Sequence, residues 1–266
     1  MNNNKITVSS RPRICLIGAG NVATHLGCAL AEKADIVQVV SRHIDTASRL
    51  CSLIGGECEP VASISELRSD ADFYLLAVND DALHDIVAST PDFPGIWAHT
   101  SGSVPMEIFT GEKSRFGVFY PLQTFTRDVS VNMPEVPFFI EGSSAQVTES
   151  LQNLAREISS RVEFADSIRR RQLHVAAVFA CNYANLMWVE ADNLLRREGL
   201  DITYLMPLLK ATLAKIENIS PYEAMTGPAR RGDREVIEKH LALLEGRQKE
   251  IYRMLADTIL EKYHHN

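Results

Sequence analysis

Residues 13–42 constrain this chain more than any other stretch. Residues 14–17 form a short apolar run of the kind that makes a strand buried on both faces. Gly18 and Gly20 follow at once, Ala23 takes the third small position, and Val22, Leu26, Ala29 and Leu30 then recur at helical spacing. In a strand–turn–helix unit of this kind the first glycine permits a tight turn and the second lets the backbone approach a pyrophosphate. The third small residue lets the helix pack closely on the strand. Phosphates would sit at the helix N-terminus, where unpaired N–H groups and the helix dipole favour negative charge. A bare GxGxxA is a weak signal. The strand before it, the helix after it and a second apolar run at 36–40 turn it into a dinucleotide-binding fingerprint, with Gly18, Gly20, Asn21 and Val22 as cofactor contacts.

The end of the second strand bears on which dinucleotide. An NAD site usually carries Asp or Glu about 20 residues after the glycines, hydrogen-bonded to the ribose 2′-hydroxyl. Ser41, Arg42 and His43 stand there instead. A hydroxyl and a guanidinium suit a 2′-phosphate, because the planar fork of arginine matches phosphate oxygens. The expected cofactor is therefore NADP, held at Ser41 and Arg42. The alternative is that Arg42 is a solvated surface residue and Asp45 serves the ribose.

The first 165 or so residues alternate short apolar runs with helical patterns, as in a parallel sheet covered on both faces. After the first two strands, 72–78 is the clearest strand, followed by 95–99, 116–120, 137–141 and a short 161–164. Helices are expected over 82–88 and 144–159. From Ile168 onward strand signals vanish, and three helical stretches remain at about 169–198, 201–218 and 234–262, broken by Gly199 and a loop at 221–232. The first is apolar around most of its circumference, as expected of a helix at the centre of a helical domain or in a dimer interface. The fold class is thus an α/β Rossmann domain with a doubly wound, mostly parallel sheet, residues 1–165. An all-helical domain follows at 166–266, for substrate binding and dimerisation.

Charge and cysteine usage exclude several classes. A net charge of −7 argues against a nucleic-acid or anionic-membrane partner. The five cysteines, at 15, 28, 51, 58 and 181, form no CxxC and have no metal-ligand spacing with histidine. Cys15 and Cys28 lie in apolar patterns and read as buried free thiols, which fits a reducing cytoplasm. No apolar leader and no run of 18 apolar residues is present, so a soluble cytoplasmic protein is expected.

Three polar clusters follow successive strands: Asn79-Asp80-Asp81, His99-Thr-Ser-Gly-Ser103 and Tyr120-Pro-Leu-Gln-Thr124. Parallel strands share one carboxyl edge, where ligands bind in open α/β sheets. Each cluster is also ordinary turn chemistry. Val78, Asn79 and Ser101 are the further cofactor contacts expected from this convergence. On the long helix, His174, Val178, Cys181 and Asn185 share one face at about 100° per residue, with Asn182 at its border. These polar groups either face the cleft or pair across loops or a dimer interface.

His99-Thr-Ser-Gly-Ser, Tyr120-Pro-Leu-Gln-Thr-Phe, Asn182 and Thr226-Gly-Pro-Ala-Arg-Arg-Gly-Asp233 together resemble the Rossmann-like proteins that carry a DUF2520 C-terminal domain. The resemblance spans about residues 11–260. Wider kin would be pyrroline-5-carboxylate reductase, coenzyme F420-dependent NADP oxidoreductase, ketopantoate reductase and the 6-phosphogluconate dehydrogenase-like enzymes. The resemblance implies NADP in the Rossmann cleft, an all-helical C-terminal domain like that of 6-phosphogluconate dehydrogenase and a homodimer built through it. One departure stands out: the lysine and asparagine pair that some of these kin carry on the corresponding helix is absent, since no lysine occurs between Lys113 and Lys210. Tyr120 also stands where a histidine is common in the group.

The reading is an NADP-dependent oxidoreductase that transfers hydride to a small carbonyl or imine. Proton donors are sought among His99, Ser101, Tyr120 and His174; His99 or His174 is best matched to neutral pH, with Asn182 orienting the substrate. The alternative is a non-catalytic NADP-binding sensor or scaffold. An S-adenosylmethionine methyltransferase is disfavoured by Ser41-Arg42 where an acid normally stands. The 226–233 segment is either an anion clamp or an interhelical turn, the latter favoured for Asp233.

Overall fold

The structure is a computed structural model that describes residues 11–264. Eight strands among the described residues form one sheet in the order β3-β2-β1-β4-β5-β6-β7-β8. They are β1 (Arg13–Ile17), β2 (Asp35–Val40), β3 (Glu59–Val61), β4 (Phe73–Leu76), β5 (Ile96–His99), β6 (Phe116–Pro121), β7 (Phe138–Gly142) and β8 (Val162–Phe164). Strands β3 to β6 across the sheet are parallel, with Ile14 beside Ile36 on one side and Phe73 on the other. Every residue of β4 and β5 is buried, which explains why these strands read as unbroken apolar runs rather than as alternation.

Helices α1 (Asn21–Ala31), α2 (Ile44–Ile54) and α4 (Ala145–Arg156) cover one face through Leu26, Leu30, Leu50, Leu151 and Leu154. Helix α3 (Asp80–Ser89) covers the other through Leu83 and Val87, over Tyr74, Trp97 and Phe109. Strand order reverses between β1 and β4. The crevice outside the carboxyl ends at that reversal is where ligands of doubly wound folds bind.

Two features were not foreseen. Strand β3 is three residues long and includes Pro60, too short and too turn-like to read as a strand, and it pairs only at the sheet's edge. Strand β7 runs antiparallel to β6. The intervening residues hold only a 3₁₀ turn, Met133–Glu135, and no crossover helix that would return the chain in the parallel sense. Lys113 is buried at the end of α3, where its Nζ donates to the carbonyls of Val87 (2.8 Å) and Thr90 (2.7 Å) and lies 4.8 Å from the Trp97 ring centre.

The thiol expectations change in part. Cys15 is buried, its pKa pushed up to about 12 by burial. Cys28 is exposed, because α1 buries Ala23, Leu26 and Leu30 on the other side. Cys51 and Cys58 form a disulfide between α2 and the approach to β3.

Contacts divide the chain into two compact units between Cys181 and Asn182, beyond the boundary placed at residue 165. Helix α5 (Ser167–Ala177) goes with the sheet because it buries Arg170 there. The helix expected over 169–198 is α5, a π-helical turn Val178–Tyr183 and α6 (Ala184–Arg197). Its apolar residues are not buried within the chain: Val175, Phe179, Leu186, Trp188 and Val189 are exposed, and α6 buries none.

The second unit continues with α7 (Met206–Ile216), the single turns α8 (Pro221–Ala224) and α9 (Pro228–Arg231), α10 (Arg234–Ala242) and α11 (Gly246–His264). The expected 234–262 helix is broken ahead of Gly246, whose φ is +52°. Its small core is Ala229, Ile237, Leu241, Ala256 and Leu260. Asp233 accepts from the Val236 N–H (3.2 Å) as the N-cap of α10, and Arg230 lies over the Tyr263 ring. No helix among the described residues is long and apolar enough to cross a membrane.

Candidate functional site

The nucleotide flank is built largely from backbone. Gly18 has φ +116°, and a Cβ there would run into the Ala77 carbonyl of the next strand's exit. Nothing lies near the position a Cβ would take at Gly20, so the turn is open on that side. Gly20 is the N-cap of α1 and offers no side chain, leaving the N–H groups of Asn21 and Val22 to face an external acceptor. This cradle fits a dinucleotide diphosphate.

At the exit of β2, the Ser41 N–H donates to the Val61 carbonyl (3.0 Å), and Ser41 Oγ lies 2.8 Å from Thr46 Oγ1. Arg42 is exposed and enters no ion pair among the described residues. Asp45 is set further on, in the first turn of α2. Beyond β4, Val78 is half-buried and Asn79 is exposed; Asn79 begins α3 without using its side chain as a cap.

The other flank is built from side chains of separate elements. His99 ends β5 fully buried, stacked 5.7 Å from Phe109, and its Nδ1 accepts from the Ser101 N–H (3.2 Å). Nδ1 is thus an acceptor, and Nε2 lies buried without a hydrogen-bond partner. Burial first, and the Arg170 charge second, push its pKa down to about 3. Such a ring stays neutral and away from solvent, a poor placement for a proton donor. Ser101 Oγ accepts from Ser103 N–H (3.1 Å) and Val104 N–H (3.0 Å), and Ser103 in turn donates to Asp80.

Tyr120, at the end of β6, and His174, on α5, do meet: Tyr120 Oη is 3.0 Å from His174 Nδ1. Gly102 packs against both, and a Cβ there would overlap the imidazole and the phenol. Burial pushes the Tyr120 pKa up to about 12 against the smaller, opposite effect of the Arg170 charge, so the phenol keeps its proton at neutral pH.

Behind the pair lies a buried ion pair. Arg170 Nη1 donates to Glu141 Oε2 (2.5 Å), and Nη2 donates to the Val104 carbonyl (2.6 Å). Glu141 also accepts from the N–H (3.0 Å) and Oγ (2.8 Å) of Ser167. Arg170 sits one helical turn before His174, so this network fixes the face that α5 presents. Sequence reasoning missed it; the signal was a glutamate ending the apolar run Phe138-Phe-Ile-Glu141. Asn182 does not belong to this assembly: it is exposed in the π-helical turn, the first residue of the second unit.

Comparison with known proteins agrees with this layout. A family model described as "NADP oxidoreductase coenzyme F420-dependent" matches residues 13–97, and one described as "Domain of unknown function (DUF2520)" matches 136–259. A candidate NADP oxidoreductase from Bacteroides fragilis is 38% identical, with 94% of this chain and 98% of that one covered and a TM-score of 0.87. A reductive aminase from Aspergillus terreus, solved with NADPH and ethyl levulinate, shares the fold at 16% identity (94% and 93% covered, TM-score 0.67). So does pyrroline-5-carboxylate reductase from Streptococcus pyogenes at 11% (95% and 98%, TM-score 0.65). No curated protein matches. The fold and cleft define a Rossmann-type NADP-dependent oxidoreductase. This chain carries a DUF2520 region and belongs to the same family as the B. fragilis candidate NADP oxidoreductase.

Proposed function

We propose that this protein uses NADPH to reduce a small carbonyl or imine, with Tyr120 and His174 as its proton source. When bound, NADPH supplies the hydride to the substrate's electrophilic carbon. Gly18, Gly20, Asn21 and Val22 hold the diphosphate, Ser41 and Arg42 the 2′-phosphate, and Val78, Asn79 and Ser101 border the crevice toward the nicotinamide end. As the π pair of the C=O or C=N bond moves onto the heteroatom, Tyr120 Oη donates its proton there. The proton is replaced through His174 Nδ1, whose half-buried ring links the phenol to solvent. The carrying observation is the 3.0 Å contact between a phenol that stays protonated and an imidazole. His99 serves this arrangement as a neutral packing and acceptor group. Asn182, exposed at the start of the second unit, is given no part in this relay.

The protein is inferred to act as a homodimer through its helices, which would cover the exposed Leu186, Trp188, Val189, Leu208 and Leu213. Sedimentation of the purified protein as a monomer would remove that part.

The central test is single-turnover NADPH oxidation against a panel of keto acids, aldehydes and cyclic imines. Tyr120→Phe and His174→Ala are each expected to slow the reductive step about 10²–10⁴-fold while NADPH affinity by calorimetry stays unchanged. Wild-type rates in both variants would refute the assignment.

A further inference from the structure

The segment that leaves β6 plays no part in the proton relay, yet it is fastened to the opposite flank of the carboxyl edge. Asn21 Nδ2 donates to the Phe125 carbonyl (3.0 Å), and His25 Nε2 lies 3.0 Å from the Thr126 carbonyl with its ring 5.1 Å from that of Phe125. Asp128 pairs with Arg49 of α2 at 3.7 Å. Between these anchors, Arg127 Nη2 donates to the carbonyl of Ala19, inside the glycine turn itself (2.9 Å).

Arg127 is an incomplete site as it stands. Its Nε is buried without a hydrogen-bond partner, and it forms no ion pair among the described residues, although the chain carries a net charge of −7. A buried N–H with no acceptor is costly, and a guanidinium completes its bonding best with the paired oxygens of a phosphate. Helix α1 has neither lysine nor arginine, so the turn at its N-terminus offers a diphosphate only neutral donors of its own.

We infer that Arg127 supplies the cationic contact to the cofactor's diphosphate that the glycine turn lacks. A loop from the far side of the sheet thereby completes the nucleotide site. The inference rests on the reading that NADP(H) lies on the glycine turn. It assigns Arg127 a task different from that of Arg42: diphosphate affinity rather than selection for the 2′-phosphate.

Calorimetric titration separates the two. Arg127→Gln, which keeps a donor for the Ala19 carbonyl but loses the charge, and Arg127→Ala are expected to weaken NADPH, NADH and ADP alike, by roughly ten- to a hundredfold. Adenosine 2′-monophosphate binding should be unaffected. Arg42→Ala should weaken NADPH and adenosine 2′-monophosphate and spare NADH and ADP. A purely structural tie would lower the melting temperature of the free Arg127→Gln protein without this pattern among ligands. Unchanged ADP and NADH affinity in Arg127→Gln, or a loss confined to NADPH, overturns the inference while leaving the glycine-turn site standing. Failure of the wild-type protein to bind NADPH, NADH or ADP overturns both.

Discussion

On the β1–β2 side of the switch point, the proposed nucleotide site has a core of backbone plus two side chains at a strand's exit, within residues 18–46. On the β5–β6 side, the site is made of side chains from β5, β6, β7 and α5, brought together from as far apart as His99 and His174. Apart from the Arg127 contact inferred above, the first flank needs only local conformation: a glycine at φ +116°, a helix N-terminus, a polar strand end. The second needs tertiary structure, because its proposed reactive contact, Tyr120–His174, is backed by a buried ion pair. Nucleotide binding should therefore tolerate damage to the second flank, whereas the chemistry should not tolerate damage to that ion pair.

The largest effect that would sharpen this contrast is expected from Arg170→Met. Removing one partner leaves the Glu141 carboxylate buried without its cation, which costs about 3–5 kcal/mol. Chemical denaturation should show that loss, and whatever folds should still bind NADPH. Equal loss of nucleotide affinity in the folded fraction would break the contrast.

Gly18→Ala strikes the other flank. The positive φ and the overlap with the Ala77 carbonyl predict a cost of about 1–3 kcal/mol and loss of NADPH binding in calorimetry. The Tyr120–His174 contact should survive there.

A graded effect, smallest near neutral pH, concerns acid stability. His99 is held at about 3 in the fold against the ordinary 6.5, so between these values the unfolded chain takes up a proton that the folded chain refuses. Stability should fall as the pH drops through that window, by at most about 1.4 kcal/mol per pH unit. His99→Asn should flatten the acid side of the curve relative to wild type; identical slopes would refute the burial argument.

The same contrast explains what the sequence made legible. Strand–turn–helix around Gly18 and Gly20 is encoded within a few residues, and the parallel strands of the centre declare themselves by unbroken apolar runs such as Tyr74-Leu-Leu. Convergence of Asn79, His99 and Tyr120 on one edge also followed, since strand direction fixes it. Roles did not follow. His99 reads as a proton donor beside Thr-Ser-Gly, and nothing local reveals that Phe109 and Arg170 would exclude a charge from its ring. The antiparallel turn into β7 was invisible because apolar patterning carries no strand direction. Arg127 was passed over because its partner, Ala19, lies more than a hundred residues away and offers a backbone atom.

Lys113 carries a last consequence. Among the described residues of the sheet unit, the lysines are Lys33, exposed just past the end of α1 remote from the glycine turn, and Lys113, whose ammonium is spent on the carbonyls that finish α3. Neither is placed to condense with a ketone or aldehyde in the crevice. A Schiff base to a lysine is thus closed to the described residues of this unit, and any carbon–nitrogen double bond reduced there would join a carbonyl to an amine that is not part of its lysines.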